Sequence, residues 1–261
     1  MGVAKNMIAI HPKVHEKLLS NKRIFVTGAS RGLGRSFCEC FAKNGAKVAF
    51  NYSEDEEGSA ETLRQIKAHG TEGLAYKVSV LNESDLNRVA AEVEKSWGGI
   101  DILVNNAGIS QPLPIALMEE SDWDSVMDVN VKGQFLATRA ILRGMIRRRS
   151  GTILNIGSLA GIRLIEAPVH YSASKAAVKG FTEALSKEVA RYNVRVNCLA
   201  PGLLEDGVGR NVPEHRLKDY LNNVSLGRLG RLEEVAKLAA FMVSDRNSYM
   251  NGATIVMDGG L

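Results

Sequence analysis

Short apolar runs recur along the chain, separated by longer stretches whose apolar residues fall at helical spacing. Runs near 22–27, 46–52, 73–78, 100–105, 151–157, 194–199 and 253–257 predict strands. Helical patterns fill the gaps near 32–44, 57–69, 83–97, 122–148, 171–192 and 231–243. Strands alternating with helices predict a doubly wound parallel sheet of seven strands with helices on both faces. Several strands are rich in Val, Ile and Leu without polar alternation, as expected when both faces of a sheet are covered. No internal repeat or low-complexity segment interrupts the pattern. The least regular region is 202–229, which holds Glu205-Asp-Gly-Val-Gly209 and then a helix-like stretch to Asn223. It follows a strand end, where open α/β sheets bind ligands, and is expected to cover a substrate.

One turn in this pattern carries chemistry. Thr27-Gly-Ala-Ser-Arg-Gly-Leu-Gly34 follows the apolar run Arg23-Ile-Phe-Val26 and opens into an apolar-periodic helix. Strand, glycine-rich turn and helix form the context of a dinucleotide-binding turn. Gly28 allows the tight turn, Gly32 lets backbone approach a pyrophosphate, and Gly34 allows close helix–strand packing. The helix N-terminus offers unpaired N–H groups to the phosphates.

A second motif, Tyr171-Ser-Ala-Ser-Lys175, puts a phenol and an ammonium four residues apart on a helix, hence on one face. Proton transfer from a free phenol (pKa ~10) at pH 7 meets a mismatch of about 3 units, roughly 4 kcal/mol. A neighbouring cation is expected to reduce it by favouring the phenolate. Ser158 lies thirteen residues upstream of the tyrosine, at a strand C-terminal end.

Thr27-Gly-x-x-x-Gly-x-Gly34, Asn105-Asn-Ala-Gly108, Asn130, Ser158, Tyr171-x-x-x-Lys175 and Pro201-Gly202 occur in that order. Together they resemble the short-chain dehydrogenase/reductase family, from about Lys22 to the C-terminus. The narrower likeness is to the 3-oxoacyl-[acyl-carrier-protein] reductases, carried by Thr27–Gly34, Asn51-Tyr52, Leu226-Gly-Arg-Leu-Gly230 and Asn251-Gly252 through Asp258-Gly-Gly260. The resemblance implies a single-domain Rossmann fold over 22–261 and a homotetramer. It also implies a catalytic centre of Ser158, Tyr171 and Lys175 with Asn130 in support. Ser158 would bond the carbonyl oxygen while Tyr171 gives the proton. Lys175 would also contact the nicotinamide ribose, and Asn130 would hold a water linking Lys175 to solvent. By the same resemblance the cofactor lies against Gly28, Ser30, Arg31, Gly32, Leu33, Gly34, Asn51, Tyr52, Ser53, Ser79, Val80, Asn106, Ala107, Gly108, Tyr171, Lys175, Pro201, Gly202 and Leu204.

The end of the second strand decides the cofactor. An NAD enzyme places an acid there for the ribose 2′-OH. This chain has Tyr52, with Arg31 able to reach a 2′-phosphate and Asn51 and Ser53 as neutral donors, so NADP is expected. The acidic run Glu54-Asp-Glu-Glu57 stands at a helix start, where carboxylates are favoured, and reads as a cap. Two positions depart from the family pattern: Ser79-Val80 stands where Asp-Val is usual, and Asp206 where a threonine would bond the nicotinamide amide.

Composition narrows the partners. The 261 residues carry 33 basic and 29 acidic side chains, a net charge of +4, too balanced to argue for nucleic acid. Arg147-Arg-Arg149 reads as the solvated end of a helix, with docking of an acidic acyl carrier protein as the sharper alternative. Cys38, Cys40 and Cys198 match no zinc pattern and are expected as reduced, partly buried thiols. His11, His15, His69, His170 and His215 are scattered without ligand spacing, so no metal is expected. His170 adjoins Tyr171, but helix neighbours point about 100° apart, and no catalytic role is assigned to it. No apolar stretch approaches the ~20 residues of a membrane span, and no secretory h-region is evident, so a cytoplasmic protein is expected. Residues 1–21 read as an N-terminal extension, packed on the surface or loosely ordered. The leading expectation is NADPH-dependent reduction of a 3-oxoacyl thioester in fatty-acid or polyketide-type synthesis. A dehydrogenase of a sugar, steroid or cyclic alcohol, and a non-catalytic nucleotide sensor or scaffold, are the alternatives.

Overall fold

In the computed structural model, which describes residues 17–207 and 214–261, the seven apolar runs form seven strands. They are β1 (Arg23–Val26), β2 (Lys47–Tyr52), β3 (Gly73–Lys77), β4 (Ile102–Asn105), β5 (Gly151–Ile156), β6 (Val194–Pro201) and β7 (Thr254–Met257). They pair in the order β3-β2-β1-β4-β5-β6-β7, every pair parallel. All strand C-termini therefore lie along one edge. The order reverses between β1 and β4, which opens a crevice there.

Among the described residues there are eight α-helices, most of them packed on the two faces: α1 (Gly32–Lys43), α2 (Glu56–Ala68), α3 (Glu83–Trp97), α4 (Glu120–Met127), α5 (Gly133–Arg148), α6 (Val169–Val189), α7 (Glu214–Asn223) and α8 (Leu232–Val243). Successive strand residues feed opposite cores. Ile24 and Val26 pack with Phe37 and Phe41 of α1 and Val235 and Ala239 of α8. Phe25 packs with Val89 and Val93 of α3, Ile141 and Met145 of α5, and Leu185 of α6. Two covered faces explain why the strands lack polar alternation.

The single helix expected over 122–148 is broken. Between α4 and α5 a π-helical turn, Asp128–Lys132, carries the chain, and Asn130 points inward from it, 1% exposed. The acidic run after β2 does cap a helix: Asp55 accepts the Gly58 N–H at 2.9 Å. The basic cluster ends α5, with Arg147 and Arg148 in the last turn and Arg149 at the cap. Ahead of β1, Leu19 is fully buried against the α1 side of the sheet, so the packed unit takes in residues before Lys22. Residues 1–16, with Met7-Ile-Ala-Ile10 and His11, lie outside the described residues, as do Val208 and Gly209. Cys38, Cys40 and Cys198 form no disulfide. Among the described residues no helix is long and apolar enough to cross a membrane.

Candidate active site

The glycine turn between β1 and α1 is stitched to the loop after β4. The Asn106 amide donates to the Thr27 and Gly28 carbonyls at 3.0 and 2.9 Å, and Thr27 Oγ1 accepts the Asn106 and Ala107 N–H groups. Gly28 has φ +65°, and a Cβ on it would stand 2.9 Å from Ala107 Cα. A Cβ on Gly34 would meet the Gly28 carbonyl at 2.5 Å and the Asn106 amide at 2.6 Å. Gly32 differs: nothing lies within 4 Å of its would-be Cβ. The first turn of α1 has no acidic residue and no side-chain cap, so its N–H groups and dipole are open to an anion. This cradle fits the pyrophosphate of a nicotinamide dinucleotide. Arg35 braces it, bonding the Ser30 and Gly58 carbonyls and Thr62 Oγ1.

Four of the residues named from sequence meet at the C-terminal ends of β4 and β5. The β5–α6 loop lies directly on α6, since a Cβ on Gly161 would overlap the Lys175 and Ala176 backbone. That contact sets Ser158 near Tyr171, close enough for its hydroxyl to act on the phenol, while Ser158 Oγ accepts the Ala160 N–H at 3.2 Å. Lys175 is 6% exposed, and its ammonium donates to the Ile156 carbonyl at 2.9 Å. Asn130 is clamped at both ends: its Oδ1 accepts the Ile109 N–H at 2.8 Å, and its Nδ2 donates to the Ile109 carbonyl at 3.0 Å and to Ser174 Oγ at 2.9 Å. A Cβ on Gly108 would sit 3.2 Å from Asn130 Oδ1 and 3.5 Å from Lys175 Nζ, so both polar heads border one point.

The electrostatics correct one expectation. Burial holds the Tyr171 phenol above its ordinary value, only partly offset by the nearby Ser158 hydroxyl. No lowering by Lys175 appears, because the ammonium is turned to the Ile156 carbonyl, 5.7 Å from the centre of the phenol ring. Burial in turn lowers Lys175 to about 8, against a small opposing effect from Cys198 beside it. The arrangement offers a hydroxyl pair to a carbonyl oxygen and a phenol that stays protonated at neutral pH.

The remaining expected residues divide by exposure. Arg31 and Ser53 are exposed beside the β1 and β2 ends. Asn51 is 2% exposed and spends its Nδ2 on the Val78 carbonyl at 2.7 Å, which ties β2 to the end of β3 and leaves Ser53 as the accessible neutral donor of the two. Ser79 Oγ accepts the Leu81 N–H at 3.2 Å, and Val80 is buried against Gly133. Leu204 packs against the core and bridges to Gly230. Asp206 Oδ1 accepts the Gly207 N–H.

Two contributors escape a reading by motif. Tyr220 of α7 accepts the Leu203 N–H at 2.8 Å, and its hydroxyl fills the space a Cβ on Gly202 would need, so the covering helix locks the turn after β6. Glu166 of the β5–α6 loop pairs with Arg216 of α7 at 2.9 Å. The sequence signal for both was only that a helix follows Pro201-Gly202.

Residues 28–261 match the family described as Enoyl-(Acyl carrier protein) reductase. The 3-oxoacyl-[acyl-carrier-protein] reductase of Thermotoga maritima is 40% identical over 248 residues, spanning 93% of this chain and 98% of its own. That of Chlamydia muridarum is 36% identical, over 94% of this chain and 98% of its own. Among solved structures, one described as a short-chain alcohol dehydrogenase from Sinorhizobium meliloti 1021 superimposes with TM-score 0.88 at 35% identity, covering 94% of this chain and 97% of that one. An NAD+-bound xylitol dehydrogenase gives TM-score 0.87 at 27% identity, covering 93% and 99%. With likeness along nearly its whole described length, the protein belongs to the short-chain dehydrogenase/reductase family of oxidoreductases, grouping there with the 3-oxoacyl-[acyl-carrier-protein] reductases.

Proposed function

We propose that the protein is an NADPH-dependent reductase of a 3-oxoacyl thioester in fatty-acid or polyketide-type synthesis. The observation that carries this reading is Ser158 set near Tyr171 with Lys175 buried behind it, in a chain that matches a 3-oxoacyl-[acyl-carrier-protein] reductase over 93% of its length. The nicotinamide cofactor, when bound, supplies the hydride. Ser158 binds the ketone oxygen as negative charge builds there, and Tyr171 delivers its phenolic proton to that oxygen. Lys175 contributes positive charge behind the phenol, and Asn130 fixes the Ile109 backbone that borders it. Arg31 and Ser53 are the groups for a 2′-phosphate.

The substrate is carbonyl-bearing and carried on an acyl carrier protein. Arg149 is the docking cation of the basic cluster: Arg147 and Arg148 are paired with the Glu94 carboxylate, whereas the Arg149 guanidinium donates to the Arg191 carbonyl and pairs with no carboxylate among the described residues. The working form is a cytoplasmic homotetramer. The second reading, a dehydrogenase of a sugar alcohol, is favoured by the likeness to xylitol dehydrogenase. One assay separates the two: oxidation of NADPH and of NADH against 3-oxoacyl thioesters, ketoses and cyclic ketones. Turnover with the thioesters is expected, and turnover confined to ketoses would replace the first reading by the second.

A further inference from the structure

We propose that His170 is a positioning residue: its neutral imidazole caps the first turn of α6 and thereby holds Tyr171 facing Ser158. This rests on Tyr171 being the proton donor, as assigned above.

The N-terminus of a helix has N–H groups without intrahelical partners. α6 begins at Val169 behind Pro168, whose side chain offers no cap. The Tyr171 N–H is one of those orphans, and His170 Nδ1 accepts it at 3.0 Å. An imidazole that accepts at Nδ1 carries its proton on Nε2. Nε2 is buried here without a hydrogen-bond partner, and the side chain is 0% exposed. Such a group costs stability that an apolar side chain at the same place would not. What the imidazole provides in return is an acceptor at the backbone of Tyr171. Adjacent residues on a helix do point apart, so the link runs through the main chain and not between side chains.

The cap is lost when Nδ1 gains a proton, because two donors then face each other. Burial holds His170 below the ordinary imidazole range, and Asp122 of α4 opposes this by favouring the cation. On the neighbouring π turn, Asp128 and Lys132 are paired with each other, and Lys175 of α6 faces Ile156. Asp122 is thus the charge that acts on the imidazole among the described residues. The folded protein resists protonation that the unfolded chain accepts at pH ~6.5. Stability therefore falls as pH drops below that value toward the folded pKa, and the cap fails as pH passes through the folded pKa.

The test compares kcat for ketone reduction from about pH 5 to 9 in the wild type, His170→Asn and His170→Leu, all saturated with cofactor. Asn places an amide oxygen where Nδ1 stands and does not titrate in that range. The wild type is expected to lose turnover on the acid side with the midpoint that NMR gives for His170. His170→Asn should keep turnover within about threefold at neutral pH and lose the acid limb, while His170→Leu should fall about tenfold with cofactor Kd unchanged. An acid limb that persists in His170→Asn overturns the proposal. If His170→Leu does not fold, the profile of His170→Asn decides. Hydrogen exchange of the Tyr171 amide needs no turnover: protection lost as His170 protonates supports the cap, and protection unchanged by that step overturns it even if no ketone is reduced.

Discussion

The Lys175 ammonium stands 5.7 Å from the centre of the Tyr171 ring while donating to the Ile156 carbonyl at 2.9 Å. Lysine and tyrosine are thus neighbours whose charges are tuned by burial more than by each other. The phenol stays protonated, as a proton donor in ketone reduction must. Of the two, the lysine, lowered to about 8, is the one that titrates first as pH rises. Turnover in the reducing direction is expected to be level at neutral pH and to decline as pH rises through about 8. Lys175→Arg should move that decline upward. A decline at the same pH in Lys175→Arg would assign it to another group.

Tyr171→Phe removes one hydroxyl and leaves the packing. Turnover should fall by about 10²–10⁴-fold, the usual contribution of a positioned acid, with cofactor affinity nearly intact. Ser158→Ala should lower turnover with little effect on cofactor. Lys175→Ala should damage both. Titration of cofactor fluorescence beside steady-state rates reads the pattern, and substantial activity in Tyr171→Phe on the true substrate would remove the site assignment.

Arg31 is exposed beside the glycine turn, and Tyr52 brings no charge to the end of β2. NADPH should bind more tightly than NADH. Arg31→Ala should cost NADPH about 1.5–3 kcal/mol, the range of a charge-assisted hydrogen bond, and NADH far less. Calorimetry that found equal affinities in the unmodified protein would point to NAD instead.

Among the exposed large apolar side chains are Phe241 on α8, Tyr249 ahead of the edge strand β7, Trp123 on α4 and Phe135 on α5. Two self-complementary faces generate two dyads and hence four copies. Light scattering should give a tetramer, and Tyr249→Asp with Phe241→Asp should reduce it to a dimer. A monomer at micromolar concentration would contradict this.

The sequence made the sheet legible because its strands are short apolar runs covered on both faces, and the glycine turn because Gly28, Gly32 and Gly34 each answer a distinct local demand. Ser158, Tyr171 and Lys175 were legible by spacing, and the structure brings them together. What spacing could not convey was direction. Asn130 lies in a stretch that reads as continuous helix, and only the π turn aims it inward. His170 reads as a helix neighbour pointing elsewhere, yet it reaches Tyr171 through the main chain. Tyr220 acts from a segment whose pattern says helix and nothing about what it touches. The lysine–tyrosine electrostatics failed for a related reason: burial outweighed a proximity inferred from helical spacing alone.

The π turn at Asp128–Lys132 has a consequence for how this chain can vary. One surplus residue shifts the phase of everything after it by about 100°. α4 presents Val126 to the core and α5 presents Leu136 and Ile141, and the two faces stay in step only if the surplus is kept. With Asn130 kept, substitutions at the other positions between Met127 and Gly133 should therefore be absorbed, whereas deletion of a single residue there should not. The shortened helix would have to choose between turning Asn130 away from Ile109 and turning the α5 apolar stripe to water. A deletion of Val131 that folds with native circular dichroism and undiminished turnover would show that length at this point is not under constraint.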